Sequence, residues 1–211
     1  MNRVNYIDTA IDFLNGTEAG KAAEAIRDFY ASIQPELDCF MEDVGVACPS
    51  ACGECCAHFI PDVTSSEALL IAITILFGEH KSQLQYRLKA VNPTRISCPF
   101  YDAGNNHHCM IYKERPLVCR LFNSCLSSGK NGEAEFRNCR FNKDAQPVSI
   151  DKIATFRSYK PMSDYGVMLE NLEGNSVETE LLPQAIEEAI NKIGNILSCR
   201  FADSSSVNLA E

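Results

Sequence analysis

The sequence predicts a mostly α-helical protein whose helical termini pack around an irregular, cysteine-rich, metal-binding centre. Three observations lead to this prediction. Apolar residues recur at helical spacing near both ends, the middle of the chain loses that periodicity, and nine of the 11 cysteines lie between Cys48 and Cys139. A chain of 211 residues can bury one apolar core. We therefore expect a single domain over residues 1–201, with its metal-binding centre at 48–139 and a flexible tail at 202–211.

The N-terminal region predicts two helices that meet at Gly16. Apolar side chains recur at helical spacing over residues 4–14, and Thr17 offers an N-cap for the second helix. Proline is common in the first turn of a helix, so we expect Pro35 to begin a further short helix that ends near Asp43.

The region after the first cysteines predicts a helical hairpin. Thr64 and Glu67 have the spacing of a capping box, which accounts for Glu67 without a catalytic role. The run Ala68 to Phe77 is apolar on every side, but a bilayer needs about 20 such residues. We therefore predict a central core helix here, followed by a second helix over Lys81 to Ala90.

The C-terminal third predicts two further helices. Ser149 can cap one that ends near Tyr159, and Pro183 is placed in the first turn of another that reaches Cys199. Strand signals are weak, and the pieces that we allow are Met110 to Tyr112 and Gly166 to Leu169.

Composition and charge exclude several classes of protein. The net charge of -9 gives no attraction to phosphate backbones or anionic lipids, so we expect neither nucleic-acid nor membrane partners. The first residues contain no continuous apolar segment of the kind found in a secretory signal, so we expect a reducing cytoplasm. Disulfides are then disfavoured relative to metal ligation, although free thiols would fit either model. The sequence does not identify a protein or small-molecule partner.

Two groups of cysteines are spaced as metal ligands. The first reads Cys48-Pro-Ser-Ala-Cys52-Gly-Glu-Cys55-Cys56, and the second contains Cys98, Cys109, Cys119, Cys125 and Cys139. Thiolates must converge to hold zinc or an iron-sulfur cluster, and short spacings around a glycine provide the tight turns. We therefore predict all nine as metal ligands, which is enough for two four-cysteine sites with one thiol to spare.

Other residues near the cysteines need separate treatment. Adjacent side chains usually diverge, so we expect Cys55 and Cys56 to serve different metals, or one of them to bridge or stay free. Cys39 and Cys199 have the helical setting of small apolar residues. His58, His107 and His108 can ligate metal, but we leave them out of the ligand set because thiols are plentiful.

The charge around the second group favours an anionic cluster. From Arg95 to Lys143 there are eight Lys or Arg and four Asp or Glu, so this stretch carries +4 and the remainder -13. We predict that Arg115 and Arg120 donate hydrogen bonds to a cluster with net negative charge. We assign Tyr112 to the same cofactor surroundings. The alternative is an ordinary solvated basic loop.

The motifs resemble a known family. The pattern CxxxCxxCC, a long gap, CPF and then CxIYxxRPxxCR is similar to a cysteine-cluster family of small bacterial proteins described as zinc- or iron-chelating or as iron-sulfur-cluster containing. The family typically shows CxxCxxCC, whereas this chain has one more residue between Cys48 and Cys52. Flagellin lysine methylases share the pattern. The resemblance implies metal binding over about Cys48 to Cys125 and leaves the activity open.

Three functions remain open from the sequence. The first is an iron-sulfur protein, with a four-iron cubane as one form, that acts in redox chemistry, sensing or iron handling. The second is a lysine methylase-like enzyme that uses S-adenosylmethionine, since Cys48, Cys52 and Cys55 also have the spacing of a radical S-adenosylmethionine cluster. The third is a zinc-stapled protein-interaction module.

Overall fold

The structure is a computed structural model that describes residues 6–45, 53–90, 96–104, 107–137, 139, 148–149, 151, 155, 158–174 and 177–207, the last seven as backbone only. Over these residues the protein is mostly helical, as predicted. Within them, no helix is both long and apolar enough to cross a membrane.

The N-terminal hairpin consists of α1 (Tyr6–Phe13) and α2 (Glu18–Val44). The predicted cap is confirmed, because the Thr17 side chain accepts a hydrogen bond from Gly20 N at 3.0 Å. The predicted helix start at Pro35 is wrong, since α2 runs through it. Pro35 lies on the exposed face, while the buried stripe Ile33, Leu37, Phe40 and Val44 keeps its helical spacing across it. Burial of that stripe outweighs the hydrogen bond that proline cannot donate.

The central helix is α4 (Ser65–Phe77), and its residues from Glu67 to Ile75 are all buried. Both hydrogen bonds of the predicted Thr64–Glu67 capping box are present. The helix packs against α1, α2, α5 (Lys81–Lys89) and the last helix of the chain. This burial confirms the predicted core helix. Each fully buried aliphatic side chain contributes about 1.5–3 kcal/mol to stability.

Short elements carry the cysteine-rich centre. They are α3 (Glu54–His58), a 3-10 helix over Tyr112–Glu114, and α6 (Leu117–Leu121). A two-residue ladder joins β2 (Ser127–Ser128) to β3 (Ala134–Glu135) in antiparallel register. Metals rather than a long hydrophobic face are expected to fix a backbone of this kind.

Two helices and a strand make up the described C-terminal part of the chain, and the last helix packs against α4. They are α7 (Met162–Glu173), β4 (Thr179–Leu181) and α8 (Leu182–Val207). Strand β4 pairs antiparallel with β1 (Asp62–Thr64), with Val63 opposite Glu180. The pairing places the start of α8 beside the start of α4.

Several predictions for this half of the chain need correction. Gly166 to Leu169 is part of a helix, since Tyr165 and Leu169 point the apolar side of α7 into the core. Met110 to Tyr112 leads into the 3-10 helix and is not a strand. Helix α8 continues to Val207, into the predicted tail. Most of the predicted helix from Ser149 to Tyr159 lies outside the described residues.

Candidate metal centre

Three segments bring cysteines together at one end of α4. Cys55 and Cys56 lie on α3, Cys98 and Cys109 lie on one loop, and Cys119 lies on α6. The first two segments are joined directly, because Cys98 N donates a hydrogen bond to Cys56 O at 2.8 Å.

The loop that carries Cys98 and Cys109 is closed by backbone hydrogen bonds. Tyr101 pairs with Cys109 as an antiparallel bridge, and Met110 N donates to Phe100 O at 3.0 Å. Phe100 is fully buried and anchors the loop in the core. The two cysteines therefore lie at the base of a single loop although ten residues separate them in sequence.

Gly53 allows α3 to dock closely against this loop. A Cβ atom at Gly53 would lie 2.5 Å from the Tyr101 ring and 2.4 Å from His108 Cβ, which is closer than real side chains approach. Only glycine fits between the two side chains without a shift. The glycine of the first cysteine motif is thus explained by a close approach between two segments.

Cys119 is positioned by a buried carboxylate. Glu67 Oε1 accepts hydrogen bonds from Leu117 N at 2.7 Å and from Tyr30 Oη at 2.6 Å, while Glu67 Oε2 accepts from Thr64 N at 2.9 Å. One side chain therefore connects α2, the start of α4 and the start of α6. The sequence predicted the capping box, but it did not show this second use of Glu67.

The two predicted arginines have different surroundings. The Arg120 side chain is buried, stacks 4.0 Å from the Tyr30 ring centroid, and donates hydrogen bonds to Arg115 O, Lys113 O and Gln34 Oε1. Its donors therefore hold the backbone ahead of α6. The positive charge of Arg115 instead lowers the pKa of both Cys109 and Cys119, against the larger effect of burial. Arg115 is the arginine with electrostatic access to the thiols.

Tyr112 belongs to a stack at the surface of the centre. Its ring lies 4.0 Å from the His107 ring centroid at an angle of 15°, and the Arg115 guanidinium lies 3.9 Å from the Tyr112 centroid. Arg115 Nη1 also donates to Tyr112 O at 2.8 Å. Tyr112 thereby fixes the orientation of Arg115, and its assignment to the cofactor surroundings stays a prediction.

Five cysteines of these three segments form one group, which we call the thiol cluster: Cys55, Cys56, Cys98, Cys109 and Cys119. Burial, followed by the charges of Cys109 and Cys55, raises the pKa of Cys98 to about 12. Burial and the charges of Cys98, Cys109 and Cys55 raise that of Cys119. A bound cation would remove this penalty and displace the protons.

Cys55 and Cys56 lie side by side, and their Sγ atoms are 3.9 Å apart. A hydrogen bond from Cys56 lowers the pKa of Cys55 to about 6, while the pKa of Cys56 is raised. Two thiolates on one tetrahedral zinc ion are separated by about 3.8 Å, given Zn–S bonds of about 2.3 Å. This spacing fits one shared metal better than the two separate metals expected from sequence.

The thiol cluster suits zinc or iron in its chemistry. Soft, buried thiolates select zinc and iron-sulfur clusters over hard cations. Among the residues that the structure describes, no three His, Cys, Asp or Glu side chains lie close enough together to hold a metal ion as they stand. The thiol cluster therefore brings candidate ligands near one another but does not form a complete coordination sphere.

The other cysteines are placed differently. Cys48 and Cys52 lie outside the described residues. Cys125 is buried in the core, where Sγ donates to Leu121 O at 3.5 Å and burial alone raises its pKa to about 12. Cys139 is half-buried, and its role as a ligand stays a prediction. Cys39 and Cys199, expected as small apolar residues, are exposed because they lie on the outward faces of α2 and α8.

Comparison with known proteins identifies the cysteine-rich segment. No curated protein and no solved structure matches the chain. Residues 47–146 match the model of the CxxCxxCC family, which is described as a "putative zinc- or iron-chelating domain". This match spans all five members of the thiol cluster, and its description indicates zinc or iron as the metal. The cysteine-rich segment over residues 47–146 is therefore similar to the CxxCxxCC family of zinc- or iron-chelating domains.

Proposed function

We propose that the protein binds iron through the thiol cluster, as an iron-sulfur centre that serves redox chemistry, sensing or iron handling in the cytoplasm. The observation that carries this proposal is the gathering of five half-buried thiols from three segments of the chain. Cys48, Cys52, Cys125 and Cys139 remain additional candidate ligands.

The spacing of Cys55 and Cys56 bears on the type of cluster. In a four-iron cubane with four cysteines, each iron takes one thiolate. In a two-iron cluster with four cysteines, each iron takes two thiolates, which suits a pair with Sγ atoms 3.9 Å apart. The pair therefore favours a two-iron cluster over the cubane.

The surrounding residues support a cluster with negative charge. Burial raises the pKa of Cys109 and Cys119, and the charge of Arg115 offsets part of that rise, so it favours their thiolates. Tyr112 holds Arg115 in place, and Arg120 orders the backbone that precedes Cys119. When bound, an iron-sulfur cluster supplies electron transfer, and these residues keep it charge-balanced and partly shielded from water.

Zinc is the second candidate, and the same 3.9 Å spacing supports it. A zinc ion would join α3, the loop of Cys98 and α6 into one rigid surface. The function would then be a zinc-stapled protein-interaction module.

The methylase-like alternative gains no support from the described fold. A radical S-adenosylmethionine barrel alternates strands with helices, whereas the described chain has short strands in two small antiparallel ladders. Of the three cysteines in that spacing, the structure describes only Cys55.

Anaerobic purification followed by metal analysis tests the proposal. We expect iron and sulfide in near-equal amounts, together with visible absorption that Cys98→Ser and Cys119→Ser abolish. Exposed Cys39 provides the control, since Cys39→Ser should keep both the iron and the colour. A colourless protein with stoichiometric zinc would replace the iron proposal with the zinc candidate, and a protein that retains neither metal would refute both.

A further inference from the structure

His108 has an unusual environment beside the thiol cluster. Its Nδ1 atom is buried and has no hydrogen-bond partner among the described residues. A buried polar atom without a partner destabilises the fold, because it has lost its hydrogen bonds to water. His108 directly precedes Cys109 of the thiol cluster in the sequence.

The backbone at His108 is also strained. Its φ angle is 51°, in the left-handed region that residues other than glycine rarely adopt. Such strained conformations concentrate at ligand clamps and active sites. The surrounding structure keeps the conformation, because Asp102 N donates to His108 O at 3.1 Å.

The imidazole lies between Tyr101 and Gly53, which precedes α3. It packs edge-on against Tyr101, with ring centroids 5.8 Å apart. A Cβ atom at Gly53 would lie 2.6 Å from Nδ1, so this nitrogen faces the turn that leads to Cys55 and Cys56. The fold thus holds an unpartnered nitrogen donor between the two segments that supply four of the five thiols.

We propose that His108 Nδ1 is a ligand of the metal held by the thiol cluster, which makes the centre a mixed thiolate and imidazole site. This inference rests on the proposed function. Imidazole is a common ligand of zinc and iron, and a metal bond would provide the partner that Nδ1 lacks. It would also compensate for the strained backbone.

Asparagine is the informative substitution at His108. It tolerates positive φ better than most residues, so His108→Asn should keep the loop. Its amide can replace a hydrogen bond that Nδ1 would give to a thiolate, but it is a poor ligand for zinc or iron. His107→Asn is the matched control, because His107 is exposed and stacks on Tyr112 in the same loop.

The test detects nitrogen at the metal directly. Protein with ¹⁵N-labelled histidine is reconstituted with ferrous iron and sulfide, reduced, and measured by pulsed electron paramagnetic resonance. For a protein that retains zinc, ¹¹³Cd is substituted and its coupling to ¹⁵Nδ1 is measured by NMR. We expect nitrogen coupling in the wild type and His107→Asn, and its loss in His108→Asn. Metal affinity in His108→Asn should fall more than about 100-fold, beyond the usual effect of residues around the ligands.

The outcomes separate the two proposals. A wild type that retains neither metal overturns the proposed function. A loaded wild type without nitrogen coupling, or equal coupling in the wild type and His108→Asn, overturns the role of His108 alone. The wild-type measurement decides the question even where His108→Asn fails to fold.

Discussion

Cys119 and Cys125 lie six residues apart, yet their side chains have different surroundings. After burial, the charges of three other thiols raise the pKa of Cys119, whereas Cys125 packs in the apolar core. We expect Cys119→Ala to lose bound metal, and Cys125→Ala to keep it with about 1 kcal/mol lower stability. Elemental analysis and urea denaturation measure the two effects. Metal loss in Cys125→Ala would contradict this expectation and support Cys125 as a ligand.

Arg115 and Arg120 should also respond differently to substitution. A cation near a cluster favours its reduced, more negative state, so Arg115→Gln should lower the reduction potential of an iron-sulfur centre. Arg120→Gln removes hydrogen bonds to two carbonyls and should lower the stability of the fold by about 2 kcal/mol. Anaerobic redox titration and denaturant unfolding separate the two roles. Equal reduction potentials in the wild type and Arg115→Gln would show that Arg115 does not affect the potential of the centre.

Gly53 tests how closely α3 docks against the loop of Cys98. Gly53→Ala inserts a methyl group against Tyr101 and His108, and we expect about 1–3 kcal/mol of destabilisation from overpacking. Gly166→Ala is the matched control, because nothing lies within 4 Å of its Cβ position in helix α7. That change should be neutral or stabilise the helix by up to about 1 kcal/mol. Thermal and urea unfolding compare the two variants, and an equal response in both would contradict the close approach.

Among the elements, α6 depends on a carboxylate from α4. In Glu67→Gln one acceptor oxygen becomes an NH₂ group, which leaves one of the donors Tyr30 Oη, Leu117 N or Thr64 N unpaired in the core. The expected cost is about 1–3 kcal/mol. Glu18→Gln, in an exposed ion pair with Lys21, should change stability by less than about 0.5 kcal/mol. The free energy of unfolding checks both, and similar losses in the two variants would argue against this network.

The elements also show what sequence patterns can predict. The caps at Thr17 and Thr64 and the core helix α4 were predicted because each depends on residues within one turn or one helix. The continuation of α2 through Pro35 was missed, because it depends on long-range burial of the stripe on its opposite face. The pairing of Val63 with Glu180 was missed for the same reason. The sequence predicts structure that depends on neighbouring residues, such as helix caps, but it does not predict contacts between distant segments.

The candidate site follows the same rule. Spacing and residue type predicted the members of the thiol cluster, since a dense run of cysteines is a local signal. The second use of Glu67, the close approach at Gly53 and the orphaned nitrogen of His108 each depend on two segments that meet in space. The Cys55–Cys56 spacing differs from expectation because α3 brings both Sγ atoms to one side.

At the scale of the whole molecule, two kinds of stabilisation meet at α4. Its residues from Glu67 to Ile75 are buried by helices α1, α2, α5 and α8, which form an apolar core with it. The thiol cluster lies on shorter elements, and α3 among them has no buried residue, so bound metal should contribute much of the local stability there. We therefore expect metal removal to loosen the centre and leave the helical core folded.

Hydrogen exchange followed by mass spectrometry measures this difference along the chain. After treatment with a chelator, peptides from residues 53–58 and 107–121 should exchange more than about tenfold faster, which corresponds to a local loss of about 1.4 kcal/mol. Peptides from α4 should keep their rates, because the apolar contacts that protect them are independent of metal. Restoring the metal should restore the slow exchange. Equal acceleration in the centre and in α4 would show that metal binding and the helical core form one cooperative unit, contrary to this prediction.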